Sequence, residues 1–424
     1  MKGVLQKIGS LRTTGRGPSA DGGGDPGQQR GSSVTLSIID QHVARLKQAE
    51  EARKAREALL TGLKPFVLDN TLVECLASGS ETLEDKLEAL SCTRACGLQN
   101  VVLAAFVKER TPDLPFLQAL HSSKLIDEHC FAFSELYDAH GSDLPGQDLP
   151  FGLAKMIQYG IQNAILEVDV AAPYINWDKY HIEDLCALVE SRCRWVASNL
   201  YAGRPTQPAS YVHLRDFSAA MQSAPARLLT LVEALARLDP AVRPRGLLIN
   251  QPAAGQFPFE AAPCVAAVRG VMDAAGWSEG LLAVHVGSAP GYGLAHATVL
   301  ECLAAGCGGV MAALCEEADP ASSHASSMLD LVNLARLGNK HVGERFHMDR
   351  LRAAAKQVSA IMARAKAAAA AAPQTAAAGG SAGTQRGAAM TAVEEKKEKK
   401  EKKEKEEKEE KKEEEEEPLV VPCN

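Results

Sequence analysis

An α/β domain in which eight parallel strands alternate with helices and close into a (β/α)8 TIM barrel is the fold class this sequence predicts. Three observations predict it. Short apolar runs suited to strands recur eight times between residues 63 and 345. A helical pattern lies between most of them, and such alternation implies right-handed parallel crossovers. The starts of successive runs are roughly 30–45 residues apart, the length of a βα unit with some inserted loops. Eight units are enough to close a barrel. A doubly wound open sheet is the rival arrangement.

Each segment has its own warrant. Residues 1–33 are rich in Gly, Ser, Pro and Gln and are expected to be a disordered leader. Residues 34–62 read as an N-terminal helix: Leu36, Ile39, Val43, Leu46, Leu59 and Leu60 keep helical spacing, and Gly62 supplies a stop. The strand candidates are FVLDNTL (66–72), NVVLAAF (100–106), HCFAFSEL (129–136), NAILEVDV (163–170), SYVHLRDF (210–217), GLLINQP (246–252), LLAVHVG (281–287) and GGVMAALC (308–315). Their abundance of Ala, Leu and Val suits strands covered on both faces. Residues 346–372 form a C-terminal helix by propensity, which Pro373 ends. From 373 to 424 an Ala/Gly linker leads into a block of Lys and Glu. That block reads as a solubilising tail, either disordered or a charged, coiled-coil-like helix held by i,i+4 pairs.

Composition excludes several functions. The net charge of −7 is misleading, because residues 394–417 hold ten Lys and fourteen Glu and contribute −4 of it. The remainder is near neutral, which argues against a nucleic-acid surface. No apolar run reaches the roughly 18–20 residues needed to cross a membrane. The eleven Cys contain no CxxC pair and are read as reduced thiols in a cytoplasmic protein. The first twenty residues carry four basic and no acidic side chains, so a mitochondrial or plastid address is the alternative.

Active sites on such barrels sit at the C-terminal ends of the strands. Those positions hold Asp69 and Glu74, Glu135, Glu167 and Asp169, then His213, Arg215 and Asp216, Asn250 and His285. Glu167 and Asp169 should project on one face of their strand, as a weak acid/base pair. No G-x-S-x-G, Walker A or G-x-G-x-x-G motif stands at a strand–helix junction. No strand end carries the Lys that a Schiff-base aldolase needs.

Two stretches carry a family resemblance: VLDNTLVECLASG (67–79) and LLAVHVGSAPGYGLAHATVLECLAAG (281–306). Together they resemble the signatures of the metal-dependent (β/α)8-barrel lyases and condensing enzymes. These include hydroxymethylglutaryl-CoA lyase, isopropylmalate and citramalate synthases, and the pyruvate carboxyltransferase domain. The resemblance implies a divalent metal (Mg, Mn or Zn), an acyl-CoA or 2-oxo acid substrate, and carbon–carbon bond chemistry. The first strand of that family reads D-x-T-L-R-D/E-G; here it is Asp69-Asn70-Thr71-Leu72-Val73-Glu74-Cys75. Glu74 is then a metal ligand and Asp69 a candidate catalytic acid, but Val73 replaces the Arg that polarises the substrate carbonyl. The family's H-x-H becomes His285-Val286-Gly287, so His285 remains as a ligand and its partner is gone. The second-strand Glu falls on Val102, and the sixth-strand G-D-T-x-G becomes Ile249-Asn250-Gln251-Pro252. Cys315 does not align with the lyase cysteine and reads as a buried strand-end thiol. His213 or Asp169 are candidate replacement ligands, and Arg215 is the candidate replacement electrophile.

Two functions are therefore expected. One is a catalytically degraded barrel, a pseudoenzyme kept for binding or scaffolding, with the charged tail as the arm that meets a protein partner. The other is an active lyase or aldol-type condensing enzyme with a rebuilt metal site.

Overall fold

The computed structural model describes residues 26–77, 79–107, 110, 112–136, 150–172, 175–201, 209–251, 257–287, 294–316 and 325–371. The leader up to residue 25 and the linker and Lys/Glu tail from residue 372 lie outside these described residues. The N-terminal helix, α1, spans Pro26–Gly62, so it begins inside the segment expected to be leader. Pro26 suits a first helical position because its missing N–H has no intrahelical partner to lose. Gln28, Gln29 and Arg30 then add favourable propensity. Met1–Ala58 and Leu59–Asn424 are separate compact units. Within the first, Arg53 pairs with Glu50 and Glu57 at 3.0 and 2.7 Å, one helical turn to either side.

The second unit is the barrel. Its strands are β1 (Phe66–Asp69), β2 (Asn100–Phe106), β3 (Cys130–Glu135), β4 (Asn163–Val168), β5 (Tyr211–Leu214), β6 (Gly246–Gln251), β7 (Leu281–Val286) and β8 (Gly309–Ala312). All pair in parallel with their sequence neighbours, and β1 pairs with β8 from Phe66↔Gly309 to Asp69↔Ala312. That closure rules out the open sheet. The principal helices are α3 (Leu83–Ala95), α4 (Leu114–Ser122), α5 (Phe151–Tyr159), α6 (Ile182–Asn199), α8 (Pro225–Ala236), α9 (Pro258–Ala274), α10 (Ala295–Ala304) and α11 (Ser327–Arg336). Three short helices, α2 (Thr71–Glu74), α7 (Phe217–Ser223) and α12 (Lys340–Arg345), fill connections where the sequence signals none. No described helix is long and apolar enough to cross a membrane.

Local chemistry sets the helix ends. Thr82 and Asp85 form a reciprocal capping box at the start of α3. Asp113 accepts the Phe116 N–H at 3.0 Å at the start of α4. Asn339 caps α12 through the Val342 N–H and donates its Nδ2 to the carbonyls of Leu60 and Leu63, both at 2.7 Å. The C-terminal helix, α13, runs Met348–Ala371, close to its expected span. It buries Leu351, Ala355, Val358 and Ile361, and Arg364 reaches Asp85 on α3 at 2.6 Å.

Strand alternation separates two cores. Outward residues such as Val67, Leu166, Leu214, Ile249 and Val284 meet the helices. Inward residues Leu68, Phe131, Phe133, Ile165, Tyr211, Leu248, Ala283 and Met311 fill the barrel. At the N-terminal end the Tyr211 ring packs between Phe66 and Phe131, with centroids 5.6 and 6.0 Å away. At the closing seam, a Cβ on Gly309 would stand 2.6 Å from the Phe66 carbonyl oxygen. Gly309→Ala should therefore destabilise the barrel by about 1–3 kcal/mol, read as a lower urea midpoint. An unchanged midpoint would mean that the seam is slack.

Candidate active site

The alternation that fills the interior with apolar groups delivers polar ones at the next inward step. Following Phe133, Ile165, Tyr211, Leu248 and Ala283 by two residues gives Glu135, Glu167, His213, Asn250 and His285. Register places Glu135 beside Glu167, Glu167 beside His213, and Asn250 beside His285.

Glu167 and His213 are the best-defined pair. His213 Nδ1 stands 3.0 Å from Glu167 Oε1, and Arg215 Nη1 lies 3.7 Å from Oε2. Burial pushes the Glu167 carboxyl up, but the hydrogen bond from His213 and the charges of Arg215 and Arg110 outweigh it. The group is held below its ordinary value and is a carboxylate at neutral pH. His213 is only 4% exposed, and its ring rests against Phe133 at 5.4 Å. Its Nε2 is buried with no hydrogen-bond partner among the described residues.

The first strand leads to a different arrangement. Asp69 is fully buried, and its carboxylate accepts the Thr71 N–H at 3.2 Å and the Thr71 hydroxyl at 2.9 Å. The Thr71 oxygen in turn accepts the Leu314 N–H at 2.8 Å, tying the end of β1 to the segment after β8. Asp69 thus braces the turn. Asn70 is also fully buried, with Nδ2 and Oδ1 both unpartnered among the described residues. Val73, at the position of the family's Arg, packs into the apolar interior of the barrel. Arg110, in the segment after β2, donates to the Val73 carbonyl and pairs with Glu74 at 2.7 Å.

Arg110 links two carboxylates of the mouth, since it pairs with Glu74 and its charge also acts on Glu167. Glu74 is engaged by Arg110, Arg215 by Glu167, and His285 stands beside Asn250 on β7. Asp169 does not form an acid/base pair with Glu167, because β4 ends at Val168 and its Oδ1 accepts the Ala171 N–H at 2.9 Å. Cys315 is buried. Among the described residues no group of three or more His, Cys, Asp and Glu stands where it could hold a metal ion. A divalent ion needs several converging donors, and the carboxylate nearest the expected position already has a guanidinium partner. The described residues do not fit the metal. Sequence reasoning missed Arg110, whose signal was the charged run Lys108-Glu109-Arg110 directly after a strand.

No family model and no curated protein matches the chain. Solved structures do. A hydroxymethylglutaryl-CoA lyase from Pseudomonas aeruginosa is similar with a TM-score of 0.50 and 13% identity, covering 73% of this chain and 99% of that one. The HMG-CoA lyase from Brucella melitensis has a TM-score of 0.45 and 13% identity over 72% and 98% of the two chains. The carboxyl transferase domain of Rhizobium etli pyruvate carboxylase, solved with pyruvate, has a TM-score of 0.49 and 13% identity over 75% and 50%. The protein is a (β/α)8 barrel. In particular it has the fold of the HMG-CoA lyases, and at this identity the likeness is one of fold.

Asp69 provides a test of the turn. Burial raises its carboxyl from 3.8 to about 7, against the lowering effect of the hydrogen bonds from Thr71. An acid raised in the folded state binds its proton more tightly there. Its contribution to stability is thus fully present below its unfolded value and lost as pH rises through the folded one. The melting temperature of Asp69→Asn, minus that of the wild type, should rise between about pH 4 and about pH 8. A flat difference would contradict the assignment.

Proposed function

We propose that this protein is a divergent HMG-CoA lyase-like barrel whose carbon–carbon lyase chemistry is degraded and whose mouth binds a small organic acid or acyl-CoA. The observation that carries this reading is the 2.7 Å ion pair between Arg110 and Glu74. It neutralises the carboxylate that the family resemblance assigns to a metal, while Val73 supplies no charge to a developing enolate. Loss of one preorganised donor of that kind typically costs about 10²–10³ in rate. Loss of the ion removes a further source of charge stabilisation. The polar layer above an otherwise apolar interior supports a binding role for the mouth, and the Lys/Glu tail is the arm through which a protein partner would be met. The cysteines described are all free thiols, which supports the cytoplasm as the compartment.

One observation favours the active alternative. Arg215 keeps a guanidinium at the mouth, 3.7 Å from Glu167 and one-third exposed. The test is an assay of 3-hydroxy-3-methylglutaryl-CoA cleavage, and of acetyl-CoA condensation with 2-oxo acids, with Mg, Mn or Zn present. Activity at background is expected, together with a raised melting temperature on adding acetyl-CoA or pyruvate, because a ligand of the native state stabilises it. Turnover well above background that disappears in Arg215→Ala would overturn the degraded-lyase reading. A melting temperature unmoved by acetyl-CoA, pyruvate and L-lactate alike would remove the binding role.

A further inference from the structure

Glu167 and His213 come from neighbouring strands and are register partners on the inner wall of the barrel. An ionised carboxylate can only accept hydrogen bonds, so the 3.0 Å contact with Glu167 requires His213 Nδ1 to carry a proton. In the neutral ring the lone pair then belongs to Nε2. That nitrogen is buried and has no partner among the described residues, on a side chain that is itself 5% exposed. Buried polar atoms are nearly always satisfied, and a bare one marks a position for a ligand or an ordered water.

We infer that His213, oriented by Glu167, is a ligand-selecting residue that accepts a hydrogen bond from a small carboxylic acid bearing a donor group beside its carboxylate. This rests on reading the mouth as a small-molecule site and gives that site a specificity. Arg215, next to Glu167, is the cation that the carboxylate of such an acid meets. A hydroxyl or an ammonium can donate to the Nε2 lone pair. The carbonyl of a 2-oxo acid cannot, and its oxygen would face the lone pair with no proton between them. The shared chemistry is therefore a hydroxy or amino acid, and the site disfavours the 2-oxo acid of equal size.

The test uses the full chain with ¹⁵N-labelled His, at about pH 8 so that free imidazole is neutral. The probes are three matched three-carbon acids: L-lactate, L-alanine and pyruvate. Without ligand, His213 should show a protonated Nδ1 and an unprotonated Nε2. Lactate, alanine or both should move the Nε2 resonance, and which of them does so identifies the hydroxyl or the ammonium as the donor. Pyruvate should leave Nε2 unmoved. His213→Gln should weaken binding of the responding acid by at least about tenfold, and the wild-type spectra decide the matter if that variant does not fold. A protonated Nε2, or an equal response to pyruvate, would overturn the inference. So would a lack of response to lactate and alanine. If pyruvate or acetyl-CoA still raises the melting temperature in that case, the mouth remains a binding site and only the role of His213 falls.

Discussion

A closed eight-stranded barrel must fill its own interior, and that requirement decides where its polar atoms can stand. Every second residue of each strand points inward, and no solvent lies behind it. Tyr211, Phe131 and Phe133, with Leu68, Ile165, Leu248 and Met311, occupy this space with apolar groups. At the N-terminal ends of β2 and β4 the buried Asn100 and Asn163 bond to neighbouring backbone, and at the C-terminal ends Glu135, Glu167, His213, Asn250 and His285 replace the apolar groups. A charge placed there needs a partner, since burial without one is costly.

The partners present are side chains. Glu74 has Arg110, and Glu167 has His213 and Arg215. In the metal-dependent lyases that the sequence resembles, carboxylate and imidazole groups converge on an ion instead. Here Arg110, after β2, pairs with Glu74 after β1 and also acts on Glu167, which His213 and Arg215 face, while Asn250 and His285 are neighbours on β6 and β7. The Asp69-Asn70-Thr71-Leu72 segment has a structural role: Asp69 and Thr71 brace the seam between β1 and β8 through the Leu314 N–H.

The barrel was legible because parallel strands buried on both faces read as short apolar runs. β2 is buried along its whole length and matches its run end to end. Other features were not legible, for physical reasons. The start of α1 at Pro26 was hidden by a Gly- and Gln-rich composition that suggests disorder. α2, α7 and α12 are too short to show helical periodicity. At the mouth, the strand-end positions of Glu74, Glu167, His213, Arg215 and His285 could be read, but their pairing could not. Glu167 and His213 lie 46 residues apart, and Arg110 and Glu74 lie 36 apart. Such contacts depend on strand register and loop path, which a single sequence does not encode locally. Asp169 shows the same limit, because one residue past the strand the chain turns and the side chain caps the turn.

On the proposed reading, pairing of Glu74 and Glu167 with Arg and His side chains takes the place of a divalent ion at this mouth. Its most direct test is calorimetric titration of the metal-stripped full chain with Mn or Zn, alongside elemental analysis of the protein as purified. No stoichiometric ion is expected in either measurement. One ion per chain, lost in both Glu74→Ala and His285→Ala, would contradict that reading and restore the metal centre.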